Sequence, residues 1–379
     1  MENRIPDPQR QEKARQYARL ERRLMLVNLI ISGTYALLWL VLGWSSRLSL
    51  ALKALTPYPA VHVALFLIVF GGAFYVINLP LSWYQTYTLP HRFELSTQTR
   101  RGWVMDQVKG LAVGGVIGVV IIEVIYLVLR HFPQTWWLGA AAFLLTFNVL
   151  LAYLAPVVLY PLFNKFTPLS EEYAELVARL KRLGEKAGAQ IEGVYKMDMS
   201  RRTKAANAAL TGLGRTRRII LGDTLLNEFT PEEIETVLAH ELGHHVHKDL
   251  ALLMSVSAMA TVLGLAAVSV ALNWGVQRLS LGSVSDVATM PLLILALGAY
   301  QFLLMPIVNA VTRWRERLAD QFALEITGDG AAYASALVRL ADQNLSEVDP
   351  EPWVEFLLYS HPPLNKRIAM AQSYPPKPV

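Results

Sequence analysis

Six long apolar runs alternate with polar segments along the chain. They cover residues 24–44, 61–84, 108–129, 136–159, 250–274 and 291–311. Each run can cross the roughly 30 Å hydrocarbon layer of a bilayer, because a spanning helix needs about 20 apolar residues. Trp or Tyr stands at the end of several runs, as is common at membrane interfaces. The pattern predicts a mainly α-helical, polytopic membrane protein with about six spans, rather than a large soluble protein.

Basic residues are concentrated in alternate polar segments. Lys and Arg number seven in residues 1–23, three in 85–107, thirteen in 160–249 and seven after residue 311. Because positive charge favours the cytoplasmic side, an alternating topology predicts that both termini and residues 160–249 are cytoplasmic. Residues 1–23 are too basic for a signal peptide, so we expect them to be retained.

The polar segment after the fourth run has the pattern of a small α+β domain. Residues 170–186 place Leu and Val at helical spacing, with acidic residues early and basic residues late, which predicts an amphipathic helix. Three short strands are predicted at 191–197, 205–211 and 218–221, the last two joined by a hairpin connection at 212–216.

Beyond the sixth run, the pattern predicts helices at 314–326 and 329–342 and a loose, proline-rich tail at 374–378. The chain therefore divides into five parts. They are an N-terminal segment (1–23), four spans (24–160), the small α+β domain (161–249), two spans (250–311) and the C-terminal part of that domain (312–379).

The composition limits the chemistry that the chain can support. Apolar residues make up 53% and charged residues 17%, in agreement with a membrane protein. The chain has no cysteine, so disulfides and thiolate metal sites are excluded, and any metal must be held by histidine and carboxylate. The formal net charge of +5 is modest, and we expect no nucleic-acid partner.

Four of the eight histidines lie in residues 237–249, VLAHELGHHVHKD. The preceding TPEE at 230–233 is a strong helix start, so this stretch lies on a helix. His240 and His244 fit the pattern HExxH, in which two histidines on one helix face bind a zinc ion. The intervening Glu241 can reach a water on the metal. This arrangement is typical of zinc metalloproteases.

The other two histidines do not complete the site. His245 points about 100° around the helix from His244, and His247 lies two turns from His240, roughly 10 Å along the axis. We interpret His245 and His247 as bystanders at the helix C-terminus. Because a catalytic zinc usually has three protein ligands and a water, the third ligand should be a distant carboxylate.

Glu316 and Asp320 are the candidates for that carboxylate. Two spans separate them from residue 249, so the chain is again on the same membrane side where they occur. They are four residues apart on a predicted helix, which lets one bind metal while the other accepts a hydrogen bond from a zinc-bound histidine. Without HExxH, the same residues would be interpreted as a charged helix surface.

These residues resemble those of the gluzincin-type membrane zinc endopeptidases that include the type 1 CAAX prenyl proteases. The resemblance covers most of the chain. Besides HExxH and the ExxxD helix with its alanines, it rests on YTLPHRF (87–93) with Asp106, PLFNKF (161–166), Asn207-Ala208, ILGDTL (220–225) and SHP (360–362) with Arg367.

The resemblance implies one Zn²⁺ per chain and a role for each residue at the site. His240, His244 and Glu316 would be the zinc ligands, Glu241 the general base, Asp320 the hydrogen-bond partner of a ligand histidine, Asn207 and Ala208 the edge strand that pairs with the substrate backbone, and His361 and Arg367 the groups facing the substrate carbonyl and its oxyanion.

The resemblance also implies an architecture and a class of partners. The spans would form a ring around a chamber, closed at one end by the zinc domain. The expected partners are the lipid bilayer and a peptide or protein substrate, with prenylated substrates included. The eukaryotic members have seven spans, whereas the pattern here predicts six.

Two further functions stay open. One is a membrane-protein quality-control zinc protease of the same superfamily, and the other is a membrane scaffold or transporter with a structural zinc. An intramembrane site-2-type protease fits less well, because the helix of HExxH begins PEEIET and ends HHVHKD, which is too polar for the bilayer centre. Glu123, in the middle of the third run, fits either a chamber wall or a polar packing contact.

Overall fold

The computed structural model describes residues 5–212 and 214–375, so Pro376–Pro378 of the predicted tail lie outside the described residues. Most of the chain is helical. The helices are α1 (Pro8–Val41), α2 (Trp44–Leu55), α3 (Pro59–Trp83), α4 (Leu89–Arg92), α5 (Arg100–His131), α6 (Trp136–Leu154), α7 (Tyr160–Phe163), α8 (Ala174–Lys186), α9 (Asp223–Glu228), α10 (Pro231–Val246), α11 (Asp249–Leu279), α12 (Met290–Thr327), α13 (Gly330–Gln343), α14 (Pro352–Leu358) and α15 (Leu364–Gln372).

The prediction of six spans is confirmed. Within the described residues, six helical segments are long and apolar enough to cross a membrane: Pro8–Val41, Pro59–Arg92, Arg100–His131, Trp136–Phe163, Asp249–Leu279 and Val287–Thr327. Short π-helical turns join α3 to α4 and α6 to α7. The segments exceed the apolar runs because polar helical turns continue them beyond the bilayer. Residues 314–326, for example, extend the sixth span as predicted.

The spans form a ring. The helices α1, α3, α5, α6, α11 and α12 contact one another in this order, and α12 returns to α1. In the most apolar window of each span, at most 22% of the residues are buried inside the protein. The remaining surface faces lipid or the interior of the ring, as the predicted chamber requires.

The buried core of the ring lies at the end away from the α+β domain. Phe66, Tyr126, Trp136 and Met290 are fully buried there. The short helix α2 packs against this end of α3. The sequence pattern did not predict α2, because its 12 residues are too few for a span and mix Ser, Arg and Lys with leucine.

A four-stranded sheet forms the base of the α+β domain. Its strands are β1 (Phe166–Pro168), β2 (Ile191–Met197), β3 (Ala208–Thr211) and β4 (Arg217–Gly222), in the order β1-β2-β4-β3. Strands β2 and β4 are parallel, whereas β3 pairs antiparallel with β4, so the predicted hairpin is confirmed. Strand β1 was not predicted, because three residues give no periodic signal.

One predicted strand begins later than expected. Residues 205–207 precede β3, because the Asn344 side chain holds the Ala206 backbone. Its Oδ1 accepts from Ala206 N at 2.8 Å, and its Nδ2 donates to Ala206 O at 3.1 Å. The predicted helix at 170–186 also begins later, at Ala174, after a 3₁₀ turn, whereas the helix predicted at 329–342 is α13.

An ion pair joins the membrane ring to the α+β domain. Arg202 donates from Nε to Asp106 Oδ2 at 2.7 Å and from Nη2 to Asp106 Oδ1 at 2.9 Å. Its Nη1 donates to Asn164 Oδ1 at 2.8 Å. Asp106 and the PLFNKF segment thus meet at one point, close to the chain that leads into β3.

Candidate metal centre and active site

The motif HExxH lies on α10, as predicted. Thr230 Oγ1 accepts from the backbone N–H of Glu233, and the Glu233 side chain accepts from that of Thr230, so a capping box fixes the helix start. One turn apart on α10, the rings of His240 and His244 have their centroids 4.9 Å from each other.

Close packing brings the carboxylate of Glu316 to this pair of histidines. A Cβ on Gly243 would lie only 2.8 Å from Ala319 Cα, so α10 and α12 touch almost backbone to backbone. Glu316 is one turn before Ala319 and therefore faces the histidines. The small residues in both motifs thus have a structural purpose, which is to let the two helices meet.

His240, His244 and Glu316 form a cluster suited to one metal ion. Each offers a ligand atom, and these atoms lie within 4.8 Å of one another. Glu316 Oε2 is 3.3 Å from His240 Nε2, and Glu316 Oε1 is 3.4 Å from His244 Nε2. Two ligand atoms of a tetrahedral zinc, each about 2.0–2.1 Å from the metal, are separated from each other by roughly the 3.3–3.4 Å found here.

The polar atoms of this cluster are arranged for a cation rather than for hydrogen bonds. Within the described residues, the buried Glu316 Oε2 accepts no hydrogen bond. Burial by itself lowers the pKa of His240, but the neighbouring carboxylates of Asp320 and Glu316 outweigh it and raise the pKa to about 9. The surroundings of His240 thus favour positive charge, and a bound metal ion would supply that charge.

Glu241 lies next to the cluster, on the wall of an open cavity of about 570 Å³. Burial raises the pKa of Glu241, although His240 and His244 oppose the shift. Asn207 and Ala208 line the same cavity, and Ala208 begins the edge strand β3. A peptide lying along β3 would therefore pass in front of Glu241.

His361 and Arg367 occupy different positions relative to this cavity. His361 is at its rim, with Nε2 3.3 Å from Glu316 Oε1 and Nδ1 2.9 Å from Ser360 Oγ. Arg367 lines the cavity too, but it donates from Nε to Asp320 Oδ2 at 2.9 Å and from Nη2 to Asp320 Oδ1 at 2.6 Å. Its guanidinium therefore fixes Asp320, a contact that the sequence did not predict.

Asp320 in turn contacts the first histidine. Its Oδ1 is 2.8 Å from His240 Nδ1 and accepts from Tyr333 Oη at 2.5 Å. Asp320 is fully buried. The structure thus places it at the far side of the His240 ring from Glu316, where it leaves Nε2 free for a metal.

Comparison with known proteins identifies the family. Residues 170–374 match the model of peptidase family M48, and residues 3–165 match that of the CAAX prenyl protease N-terminal region, described as five membrane helices. The chain belongs to peptidase family M48. In the described part of this region, residues 5–165, this M48 protein has four spans and the shorter α2.

The M48 relatives include bacterial and eukaryotic proteins. The metalloprotease YhfN of Bacillus subtilis is 31% identical over 365 residues, covering 95% of this chain and 84% of that protein. CAAX prenyl protease 1 of Saccharomyces cerevisiae is 30% identical over 311 residues, covering 77% and 68%. The crystal structure of S. mikatae Ste24p matches with a TM-score of 0.86 at 25% identity, covering 98% of this chain and 93% of that one.

The fold, the metal cluster and the family all indicate the same class of enzyme. The chain is a multi-pass membrane metalloendopeptidase of the M48 family, resembling CAAX prenyl protease 1, and its substrates are peptides or proteins. The scaffold or transporter and the quality-control protease are therefore not favoured.

Sequence reasoning missed three residues near the metal cluster. Tyr333 contacts Asp320, Asp249 contacts His244, and Arg315 contacts Asp249. Asp249 follows His244 by only five residues but lies outside the HExxH pattern. The turn that directs it back to His244 leaves no signature in the sequence, because Lys248 adopts a left-handed conformation at φ 55°.

The two bystander histidines are placed as expected, outside the cluster of His240, His244 and Glu316. The ring of His247 packs against Phe322, with centroids 6.0 Å apart. His245 is half-buried, and burial lowers its pKa. Neither belongs to the metal cluster found among the described residues.

Proposed function

We propose that this M48 protein binds one Zn²⁺ through His240, His244 and Glu316 and uses it to hydrolyse peptide bonds near the C-terminus of its substrates. The observation that supports this proposal most is the position of Glu316. Its two oxygens lie 3.3 and 3.4 Å from the Nε2 atoms of the two histidines. The donor set, two imidazoles and one carboxylate, is one that catalytic zinc commonly has.

The catalytic residues would act around that site. Zinc, when bound, supplies Lewis acidity to a water and to the scissile carbonyl. Glu241 takes a proton from the attacking water as the new C–O bond forms, and passes the proton to the leaving amine as the C–N bond breaks. His361 donates a hydrogen bond from Nε2 to the carbonyl oxygen as it gains charge.

The substrate would bind as an added strand. Ala208 begins β3, an edge strand facing the cavity, so a peptide backbone can extend the sheet there. Asn207 precedes this strand, and its carbonyl already accepts from Gly222 N at 2.9 Å, which fixes its backbone. We propose that Asn207 and Ala208 align the scissile bond with Glu241. We also propose that Arg367, which lines the same cavity and is held in place by Asp320, faces the oxyanion.

The ring suits a substrate with a lipid-like group. The ring adjoins the proposed metal centre, because α12 runs from the ring to Glu316. We therefore propose C-terminal processing of prenylated or similarly apolar peptides, the activity that the names of the CAAX prenyl protease relatives describe.

Both termini and the protease domain would face the cytoplasm. Asp7 N donates to the Asp342 carboxylate at 3.2 Å, and Arg22 pairs with Glu347 at 2.8 Å. The N-terminal part of α1 thus lies on the C-terminal part of the protease domain, so the two share one membrane side. Because the polar segments on that side carry most of the Lys and Arg residues, the positive-inside tendency favours the cytoplasm for it.

Replacing the base tests the assignment. Purified Glu241→Gln should retain one zinc per chain and lose cleavage of a quenched peptide by at least about a hundredfold, the lower range for general-base catalysis. Glu325→Gln, an exposed change on α12, should behave as wild type. A Glu241→Gln variant that still cleaves would remove Glu241 from this role, and a wild type without zinc or chelator-sensitive cleavage would contradict the proposed function.

A pair of substrates tests the specificity. Two peptides of one sequence, with and without a farnesyl group on a cysteine near the C-terminus, should differ in kcat/KM in favour of the prenylated one. Equal cleavage of both, or cleavage of unrelated membrane proteins in preference to both, would indicate a broader quality-control protease.

A further inference from the structure

The second metal-binding histidine has a buried carboxylate of its own. His244 Nδ1 lies 2.8 Å from Asp249 Oδ2. Asp249 is 2% exposed and is the first residue of α11. The left-handed Lys248 turns the chain between α10 and α11, and this turn directs the Asp249 side chain back to the last turn of α10.

A guanidinium fixes this carboxylate. Arg315 donates from Nε to Asp249 Oδ1 at 2.6 Å, and its Nη2 also contacts that oxygen. The same Nη2 donates to the carbonyl of His247 at 3.1 Å. Arg315 is 8% exposed and directly precedes Glu316 on α12. One buried arginine therefore joins the end of α10, the start of α11 and the helix that carries the third ligand.

The arrangement repeats what surrounds the first histidine. There, Asp320 meets His240 Nδ1 and is itself held by Arg367. In both cases the order is histidine, aspartate, arginine. The two sets share no residue, and they come from different parts of the chain.

We propose that Asp249, fixed by Arg315, is a positioning residue for the metal ligand His244. A carboxylate at Nδ1 accepts the proton of that nitrogen, so the neutral ring keeps its lone pair on Nε2, the atom that faces Glu316. It also holds the ring at one rotation. The inference rests on the proposed metal site and extends it to two residues outside both sequence motifs.

A purely structural role for Asp249 makes a different prediction. An acidic residue in the first turn of α11 also interacts favourably with the helix N-terminus, and the Asp249–Arg315 pair joins helices. In that case, removing the carboxylate would lower the melting temperature of the protein and leave its metal affinity unchanged.

The test is the metal affinity of Asp249→Asn in the full-length protein. Affinity for Zn²⁺ is measured by competition with a chromophoric chelator, alongside melting of the metal-free protein. Loss of such a partner typically weakens metal binding about 10- to 100-fold. The absorption spectrum of the Co²⁺-loaded variant should also differ from that of wild type, because the position of the His244 ring changes. Glu325→Gln and the exposed Arg317→Lys serve as matched controls.

A second variant keeps the test decisive if Asp249→Asn folds poorly. Arg315→Lys retains the positive charge but cannot donate in the same fork, so it should weaken metal binding by a smaller factor. Wild-type Zn²⁺ affinity and an unchanged Co²⁺ spectrum in either folded variant would overturn the proposal. Wild-type protein that binds no zinc would instead contradict the proposed function, so the two failures are distinguishable.

Discussion

Replacing Gly243 by alanine should weaken metal binding more than it weakens the fold. A Cβ at this position would lie 2.8 Å from Ala319 Cα and 3.1 Å from Ala319 O, both backbone atoms that no rotamer change can move. Ordinary contacts of a Cβ begin at 3.4 Å, so the helices would have to separate by 3.4 − 2.8, about 0.6 Å, along this direction.

That separation is large for a metal site, where ligand distances hold to about 0.2 Å. Gly243 directly precedes His244, and Ala319 follows Glu316 by one turn, so the ligands on both helices move apart. Overpacking lowers the free energy of unfolding by about 1–3 kcal/mol. Alanine in place of a helical glycine raises it by about 1 kcal/mol. The metal-free protein can relax this strain. If the metal-bound form bears all of it, affinity falls about 5- to 150-fold.

The assay compares two glycines. Zn²⁺ affinity is measured by chelator competition and stability by melting of the metal-free protein. Gly298→Ala makes the same change on α12, where a Cβ would meet nothing within 4 Å, and should leave both quantities near wild type. Wild-type affinity in Gly243→Ala would refute the reasoning. A metal-free Gly243→Ala protein that fails to fold would show that the strain is stored in the core rather than at the metal site.

Three further predictions concern the active site and the topology. His361→Ala should lower kcat about 10²–10³-fold with little change in KM, and an unchanged kcat in peptide cleavage would exclude it as an oxyanion donor. In the metal-free protein, the pKa of His240 is raised from 6.5 to about 9, so the stability it contributes is full below pH 6.5 and is lost as the pH rises through about 9; melting in chelator should show this loss, and a pH-independent melting temperature would argue against it. Because the chain has no cysteine, Lys13→Cys, at an exposed position of α1, gives a single thiol; an impermeant maleimide should label it only in permeabilised cells, and labelling of intact cells would reverse the topology.

Much of the fold could be predicted because its signals are periodic or long. Spans are recognisable by length alone, and the helix of HExxH by its capping box. Two short elements, α2 and β1, were missed, because 12 mixed residues and three residues carry no distinctive pattern. The start of β3 was predicted too early, because the hydrogen bonds from Asn344 to Ala206 come from a helix far along the chain.

The same distinction applies to the site. Glu316 could be proposed from the sequence, because the spans determine on which membrane side it lies and HExxH requires a third ligand. Asp249 could not, although it is only five residues from His244. Its position depends on the left-handed Lys248 and on Arg315, which is 66 residues away. Contacts that depend on an irregular turn and on a residue far along the chain leave no periodic pattern in the sequence, so they cannot be predicted from it.

The metal centre is joined to the membrane ring through two spans. The fifth span, α11, begins with Asp249 beside His244, and the sixth, α12, continues past the bilayer to carry Glu316. These two helices also pack against each other within the ring. A tilt or rotation of either span would therefore move one proposed ligand relative to another, because α12 is one continuous helix from the ring to Glu316 and α11 begins at Asp249, which contacts His244. The two proposed ligands of HExxH lie on α10, and the proposed third ligand, Glu316, reaches them only as long as the ring keeps α12 against α10.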